Sequence, residues 1–159
     1  MESLTKKVLW FGAAYVVVAV GAAGYLFFSD KLAKRDTALD AQLVARGQAI
    51  YAKNCAQCHG VNLEGQKGWE TQQANGTYPA PPQDKSGHTW QHTDQQLFDY
   101  IKQGGGLFAP RTMRSNMPGF GQELSDTDIW AVIAYIKSRW PDDIREAQIR
   151  TNVAGFGHH

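Results

Sequence analysis

The two cysteines of the chain lie three positions apart and are followed at once by a histidine, in the string Cys55-Ala56-Gln57-Cys58-His59. Residues at this spacing lie on one side of a helical turn, so the two thiols and the imidazole are expected close together. A scaffold of several disulfides is excluded because the chain contains no other cysteine. A structural zinc site would have to recruit two further ligands, His88 and His92, from the following loop.

The same string is the attachment sequence of a covalent haem. Its two sulfurs can reach the two vinyl groups of the porphyrin, and the histidine is carried under the ring, where a nitrogen can bind iron. A thioredoxin-type dithiol would need a βαβ context, which the sequence lacks. We therefore predict one haem c, attached through Cys55 and Cys58, with His59 as an axial ligand.

Apolar residues are unevenly distributed along the chain. Val8 to Phe28 carries no charge, and 18 of its 21 residues are apolar, so the hydrophobic share of the remainder falls to about 36%. This is below the ~45–50% of an ordinary globular domain, a share that also counts glycine. A porphyrin is a large apolar body whose burial supplies the missing core. The loop at 60–92, rich in glycine and proline, then has something to wrap.

The apolar run is long enough to cross a membrane, since 21 helical residues at about 1.5 Å each reach roughly 31 Å. A cleaved secretory signal is the alternative, with Lys6-Lys7 at its start and cleavage at Gly21-Ala22-Ala23. Signal cores of 7–15 residues are shorter than this run. We expect residues 1–28 to form an N-terminal transmembrane anchor, followed by a linker at 29–39.

Three helices are predicted within residues 40–140, and no segment has the alternation of a strand, so the fold class is all-α. The helical pattern of the first helix begins at Asp40, which can cap its start, and the other two open with capping boxes at Thr93 and Ser125. We expect residues 141–159 to form a C-terminal extension, with a short helix from Asp142 to Arg150 and a tail from Thr151 to His159.

Residues 40–140 resemble the class I monohaem cytochromes c. Gly47 and Tyr51, eight and four residues before the first cysteine, match the family's glycine and aromatic residue on the first helix. Val132 and Tyr135 match their partners on the C-terminal helix. The resemblance implies a class I cytochrome c fold, with three core helices and long loops around one haem. It also implies that the first and last helices cross at Gly47, where a side chain would push the backbones apart.

The resemblance also assigns cofactor-binding roles in the loop before the middle helix. Trp90 looks like the family's tryptophan whose indole N–H bonds a haem propionate, with a half-buried loop aromatic as the alternative. Pro81 or Pro82 is expected to supply the carbonyl that orients His59 through its Nδ1–H. The sequence does not choose between the two prolines.

The second axial ligand is expected from Met117, in a Met117-Pro118-Gly119-Phe120 string that resembles the family's methionine loop. The proline fixes the backbone that carries the ligand, and the thioether is a soft, polarizable donor. Met113 and His88 are the rival ligands. We expect His88, His92, His158 and His159 at the surface.

Ligation by His59 and Met117 would fill both axial positions, which suits one-electron transfer and opposes catalysis at the iron. We expect a carrier between respiratory or dehydrogenase donors and a terminal acceptor, tethered to the bacterial inner membrane with its haem domain in the periplasm. The alternatives are a fixed haem c subunit of a larger membrane oxidoreductase, and an enzyme or gas sensor. A nucleic-acid partner is not expected at a net charge of +1. By analogy, the docking rim comprises Ala56, Gln57, Phe108 and Gly119.

Overall fold

The computed structural model describes residues 21, 24–27, 29, 40–106 and 114–155. The chain divides into two units, residues 1–41 and 42–159. In the first unit, residues 21, 24–27 and 29 are helical, and the side chains of residues 25–27 are exposed. Within the described part of the chain, no helix combines the length and the apolar character needed to span a membrane. Most of the predicted anchor, and most of the linker, lies outside the described residues.

The second unit is helical. Its elements are α1 at residues 40–54, α2 at Ala56–His59, α3 at Asp94–Gln103, α4 at Asp126–Ser138 and α5 at Asp142–Gly155, with a 3-10 turn at Thr89–Gln91. Among the described residues, the β-type pairing is one isolated bridge between Thr77 and Arg114. The all-α prediction is therefore confirmed for these residues. Asp40 is already helical where the description of α1 begins, so its capping role stays a prediction.

Both predicted capping boxes are present. The Thr93 hydroxyl accepts from the Gln96 amide at 3.2 Å, and the Gln96 side chain accepts in return from the Thr93 amide at 2.9 Å. Ser125 and Asp128 make the same reciprocal pair at the start of α4. Each box satisfies two backbone N–H groups that a helix start leaves without intrahelical partners. The starts of α3 and α4 were therefore predictable from local sequence.

Helices α1 and α4 cross in backbone contact at Gly47, as predicted. A Cβ at this position would overlap the carbonyl group of Ala131 and would lie 3.0 Å from the Cβ of Tyr135. One turn further along α1, the Tyr51 ring lies 5.2 Å from the Tyr135 ring. Arg46 adds an ion pair with Asp128 at 2.7 Å. The crossing places the end of α1, and with it the cysteine string, against the core.

The core combines residues from α1, α3 and α4 with two residues from the flanking loops. Its buried members are Tyr51, Leu63, Leu97, Phe98, Ile101, Ile129, Val132, Ile133, Tyr135, Ile136 and Trp140. Cys55, Trp90, Met117 and Phe120 pack against this cluster while half-buried. The residues singled out for the cofactor site therefore border one core.

Helix α5 runs to Gly155, so the tail predicted from Thr151 is wrong for residues 151–155. Tertiary hydrogen bonds extend the helix. The Asp94 carboxylate accepts from Gln148 at 2.6 Å and from Asn152 at 3.0 Å, while the Asp94 amide donates to Asn152 at 2.7 Å. Lys137 completes the cluster with an ion pair to Asp94 at 2.7 Å. Residues 156–159 lie outside the described part.

Candidate haem site

The cysteine string continues the end of α1 as a helical turn. The Cys55 amide donates to the Tyr51 carbonyl at 2.9 Å, and the His59 amide donates to the Cys55 carbonyl at 2.9 Å. Cys55 is half-buried and Cys58 is exposed, and neither forms a disulfide. The 7% exposed His59 side chain turns inward. The structure therefore brings two thiols and one imidazole together on one turn.

The His59 ring is oriented by a backbone carbonyl. Its Nδ1 lies 2.9 Å from the Pro81 oxygen, so this nitrogen carries the hydrogen and donates it. The Pro82 oxygen instead accepts from the Thr89 hydroxyl at 3.3 Å. Burial lowers the pKa of His59, which favours the neutral ring. A neutral imidazole with its Nδ1–H engaged presents the lone pair of Nε2, as a metal-ligating histidine does.

Burial and the neighbouring Cys58 raise the pKa of the Cys55 thiol to about 11. Dithiol redox motifs have the opposite property, a depressed pKa that supplies thiolate at neutral pH. The described part of the chain contains no group of three or more His, Cys, Asp or Glu side chains arranged to hold a metal ion. Neither the dithiol nor the zinc interpretation therefore gains support from the structure.

The segment that carries the Pro81 carbonyl is anchored by two hydrogen bonds at Gln83. The Gln83 amide donates to the Leu63 carbonyl at 2.8 Å, and the Gln83 carbonyl accepts from the indole of Trp140 at 2.7 Å. Trp140 is 1% exposed. Sequence reasoning missed this residue, although a large indole just before the proline that follows α4 was a signal, because a buried indole N–H needs a partner.

The loop at 60–92 carries its own hydrogen bonds. The Gly65 amide donates to the His59 carbonyl at 2.8 Å, and the Gln66 amide donates to the Ala80 carbonyl at 2.8 Å. In the middle of the loop, Thr77 pairs with Arg114 in the isolated bridge. The loop therefore connects the histidine turn, through its own hydrogen bonds, with the segment just before Met117.

Met117 is half-buried beside the core on a segment that is bonded to the end of α3. The Met117 carbonyl accepts from the Gly105 amide at 3.2 Å, and the Phe120 amide donates to the Ile101 carbonyl at 2.9 Å. Gly104 has a φ of +90°, and a Cβ there would lie 3.0 Å from the Met117 oxygen. Contact with α3 thus positions Met117, whereas the rival Met113 lies outside the described residues.

Trp90 lies in the 3-10 turn, half-buried, and its indole N–H donates to the Gly87 carbonyl at 3.0 Å. Its predicted bond to a propionate stays a prediction.

His88 and His92 were expected at the surface, but neither side chain is fully exposed. Both are half-buried in a row of rings, with centroid distances of 5.6, 5.5 and 5.5 Å, that runs Trp69, His88, His92, Tyr100. Burial, followed by the proximity of His88, lowers the pKa of His92. His158 and His159 lie outside the described residues.

These residues fit a covalently bound haem. A neutral, carbonyl-oriented imidazole offers one axial nitrogen, and two adjacent thiols on the same turn offer sulfur for two thioether bonds. The half-buried apolar side chains around them would pack against the porphyrin. This arrangement in a helical domain defines a c-type haem-attachment site.

Residues 44–140, more than half of the chain, match the Cytochrome c family. The chain belongs to this family as a class I c-type cytochrome. It carries covalently bound haem c, and its chemistry is haem-based electron transfer. A stretch of 100 residues is 36% identical to "Thiosulfate dehydrogenase" of Stutzerimonas stutzeri (strain A1501), covering 60% of this chain and 27% of that protein. The chain therefore spans about a quarter of the length of that relative.

Proposed function

We propose that the chain is a one-electron carrier in which His59 and Met117 would hold the haem iron, with Cys55 and Cys58 as thioether anchors. The observation that carries this proposal is the 2.9 Å hydrogen bond between His59 Nδ1 and the Pro81 oxygen. It leaves Nε2 as the ligating nitrogen of a buried, neutral ring. The bound haem supplies a reversible Fe(III)/Fe(II) couple. One electron enters from a reducing partner and leaves to an oxidising one.

Met117 is proposed as the second ligand because its segment is held against α3 and its side chain lies half-buried at the core. A sulfur ligand raises the reduction potential relative to a second imidazole. With both axial positions occupied by this chain's residues, no coordination position remains for a substrate. The pair His59 and Met117 therefore supports electron transfer in preference to catalysis or gas sensing.

The exposed surface around the cysteine string is proposed as the docking rim for redox partners. Gln57, Cys58 and Gly119 are exposed, and Val61 is 71% exposed, whereas Ala56 is half-buried. Phe108, the remaining predicted rim residue, lies outside the described part. Transient redox partners use small interfaces of this kind.

We further propose that residues 1–28 tether the carrier to the bacterial inner membrane, with the haem domain in the periplasm. The support is the uncharged apolar run of 21 residues in the sequence. A tether raises the effective concentration of the carrier near redox partners in the same membrane. Membrane fractionation of the full chain, with the haem absorbance as marker, tests this; haem recovered entirely in the soluble fraction contradicts it.

A permanently bound haem c subunit of a membrane oxidoreductase is the second candidate. It is favoured by the partial match to a dehydrogenase, of which this chain covers 27%. Purification in mild detergent distinguishes a fixed subunit from a free carrier. Other chains in fixed stoichiometry with haem support the subunit, and a haem protein without companions supports the free carrier.

The ligand assignment is tested with a matched pair of variants, Met117→Ala and Met113→Ala. We expect Met117→Ala to give a high-spin or carbon monoxide-binding haem with a lower potential, because the thioether ligand is lost. Met113→Ala should retain the low-spin spectrum and the wild-type potential. The reverse pattern would show that Met113 is the ligand. Reduced-minus-oxidised spectra with potentiometry measure both properties in one preparation.

A further inference from the structure

We infer that Trp140 is a positioning residue for His59. Through the backbone of Gln83, its indole holds the Pro81 carbonyl at the histidine ring and thereby contributes to the reduction potential. The inference rests on the proposed function, in which His59 binds the iron. It adds a determinant of the reduction potential from a residue just after α4.

The connection consists of three hydrogen bonds. His59 Nδ1 lies 2.9 Å from the Pro81 oxygen. Two residues later the Gln83 amide donates to the Leu63 carbonyl at 2.8 Å. The Gln83 carbonyl accepts from Trp140 Nε1 at 2.7 Å in a buried environment. The short stretch between the histidine's acceptor and Gln83 is thus fixed by one bond to Leu63 in the loop and one to Trp140 just after α4.

The two prolines explain why the Gln83 hydrogen bonds matter for the position of the Pro81 carbonyl. Proline has no backbone N–H, so neither Pro81 nor Pro82 can anchor the segment through its nitrogen. Gln83 offers the first amide after them. Close neighbours also confine the path of the chain: a Cβ on Gly65 would lie 2.6 Å from the Pro81 carbonyl carbon, and a Cβ on Gly87 would lie 2.8 Å from the Pro82 carbonyl carbon.

The position of the Pro81 carbonyl matters for the chemistry of His59. A hydrogen bond donated from Nδ1 makes Nε2 a more basic ligand, and a more basic ligand stabilises the ferric state relative to the ferrous state. When the Trp140 donor is lost, the Gln83 carbonyl is left buried without this partner, and the adjoining Pro81 carbonyl is held less firmly. The Nδ1 bond weakens, and the reduction potential is expected to rise.

Trp140→Phe tests this on the full chain with its haem attached, because phenylalanine keeps an aromatic ring and removes the N–H. The matched control is Trp130→Phe on α4, where the tryptophan is 37% exposed and stacks on Phe98. We expect Trp140→Phe to raise the reduction potential of the haem. Hydrogen exchange of the His59 ring N–H should become about tenfold faster, which is the effect of losing one hydrogen bond. Trp130→Phe should change neither.

A role for Trp140 in core packing alone predicts a less stable protein with the wild-type potential and the wild-type N–H exchange rate, and that result overturns the inference. If Trp140→Phe does not fold, hydrogen exchange in the wild type decides. The Trp140 and His59 ring N–H groups should open with the same free energy across a denaturant series, and unequal values overturn the inference. A wild-type haem that is not low-spin overturns the proposed function, which is a separate result.

Discussion

Substitution of Gly47 by alanine tests the contact between α1 and α4 on which the haem-binding turn depends. The added Cβ would overlap the carbonyl carbon and oxygen of Ala131 and would lie 3.0 Å from the Cβ of Tyr135. The obstructing atoms of Ala131 belong to the backbone, so no side-chain rotation relieves the overlap. The two helices would have to move apart by about 1.2–1.6 Å to bring the 1.8 Å separation from the Ala131 oxygen to 3.0–3.4 Å.

The cost follows from two opposing contributions. Overpacking a close contact costs typically about 1–3 kcal/mol, and a backbone obstruction belongs at the upper end of that range. Alanine recovers about 1 kcal/mol through its higher helix propensity. The net destabilisation is then roughly 2 kcal/mol, which corresponds to a fall in Tm of about 8 °C for a domain of this size.

The assay is guanidinium unfolding of the haem-loaded protein, with the midpoint and slope measured separately. Gly106→Ala is the matched control, because a Cβ there meets nothing within 4 Å. This variant should change the free energy of unfolding by no more than about 0.5 kcal/mol. A Gly47→Ala protein as stable as wild type, with unchanged slope, would refute the close crossing of α1 and α4.

Three further predictions concern the cofactor, the polar cluster and acid stability. Cys58→Ala should sharply reduce covalent haem, measured by resistance of the pigment to acidified acetone; full retention would contradict a thioether at this residue. Asp94→Ala should lower the unfolding free energy by roughly 2 kcal/mol, because the Lys137 ammonium and the buried Gln148 side-chain amide lose their acceptor. An unchanged free energy would show that the cluster does not stabilise the fold. The Ser125 hydrogen bond first, then Arg46, hold the pKa of Asp128 below its ordinary value of 3.8. Its contribution is therefore present above that value and is lost as the pH falls through the lower native pKa. In Asp128→Asn, the free energy of unfolding measured in urea should fall less steeply as the pH is lowered. The same pH dependence as in wild type would exclude this role of Asp128.

The sequence alone determined the features that depend on neighbouring residues. The cysteine string predicted a helical turn with both thiols and the imidazole, because spacing along one turn sets their direction. The two capping boxes predicted the starts of α3 and α4 for the same reason. The resemblance added the contact at Gly47, which lies far apart in sequence from its partner Ala131. Haem c followed from the string itself.

The atoms that meet across the loops could be identified only once the chain was packed. The carbonyl at His59 belongs to Pro81, and Pro82 pairs with Thr89, because the path of the loop sets the direction of each carbonyl. Nothing in local sequence indicated that Trp140 would bond Gln83, or that Asp94 would extend α5 to Gly155. Those bonds join residues more than fifty positions apart, so they exist only once the helices have packed.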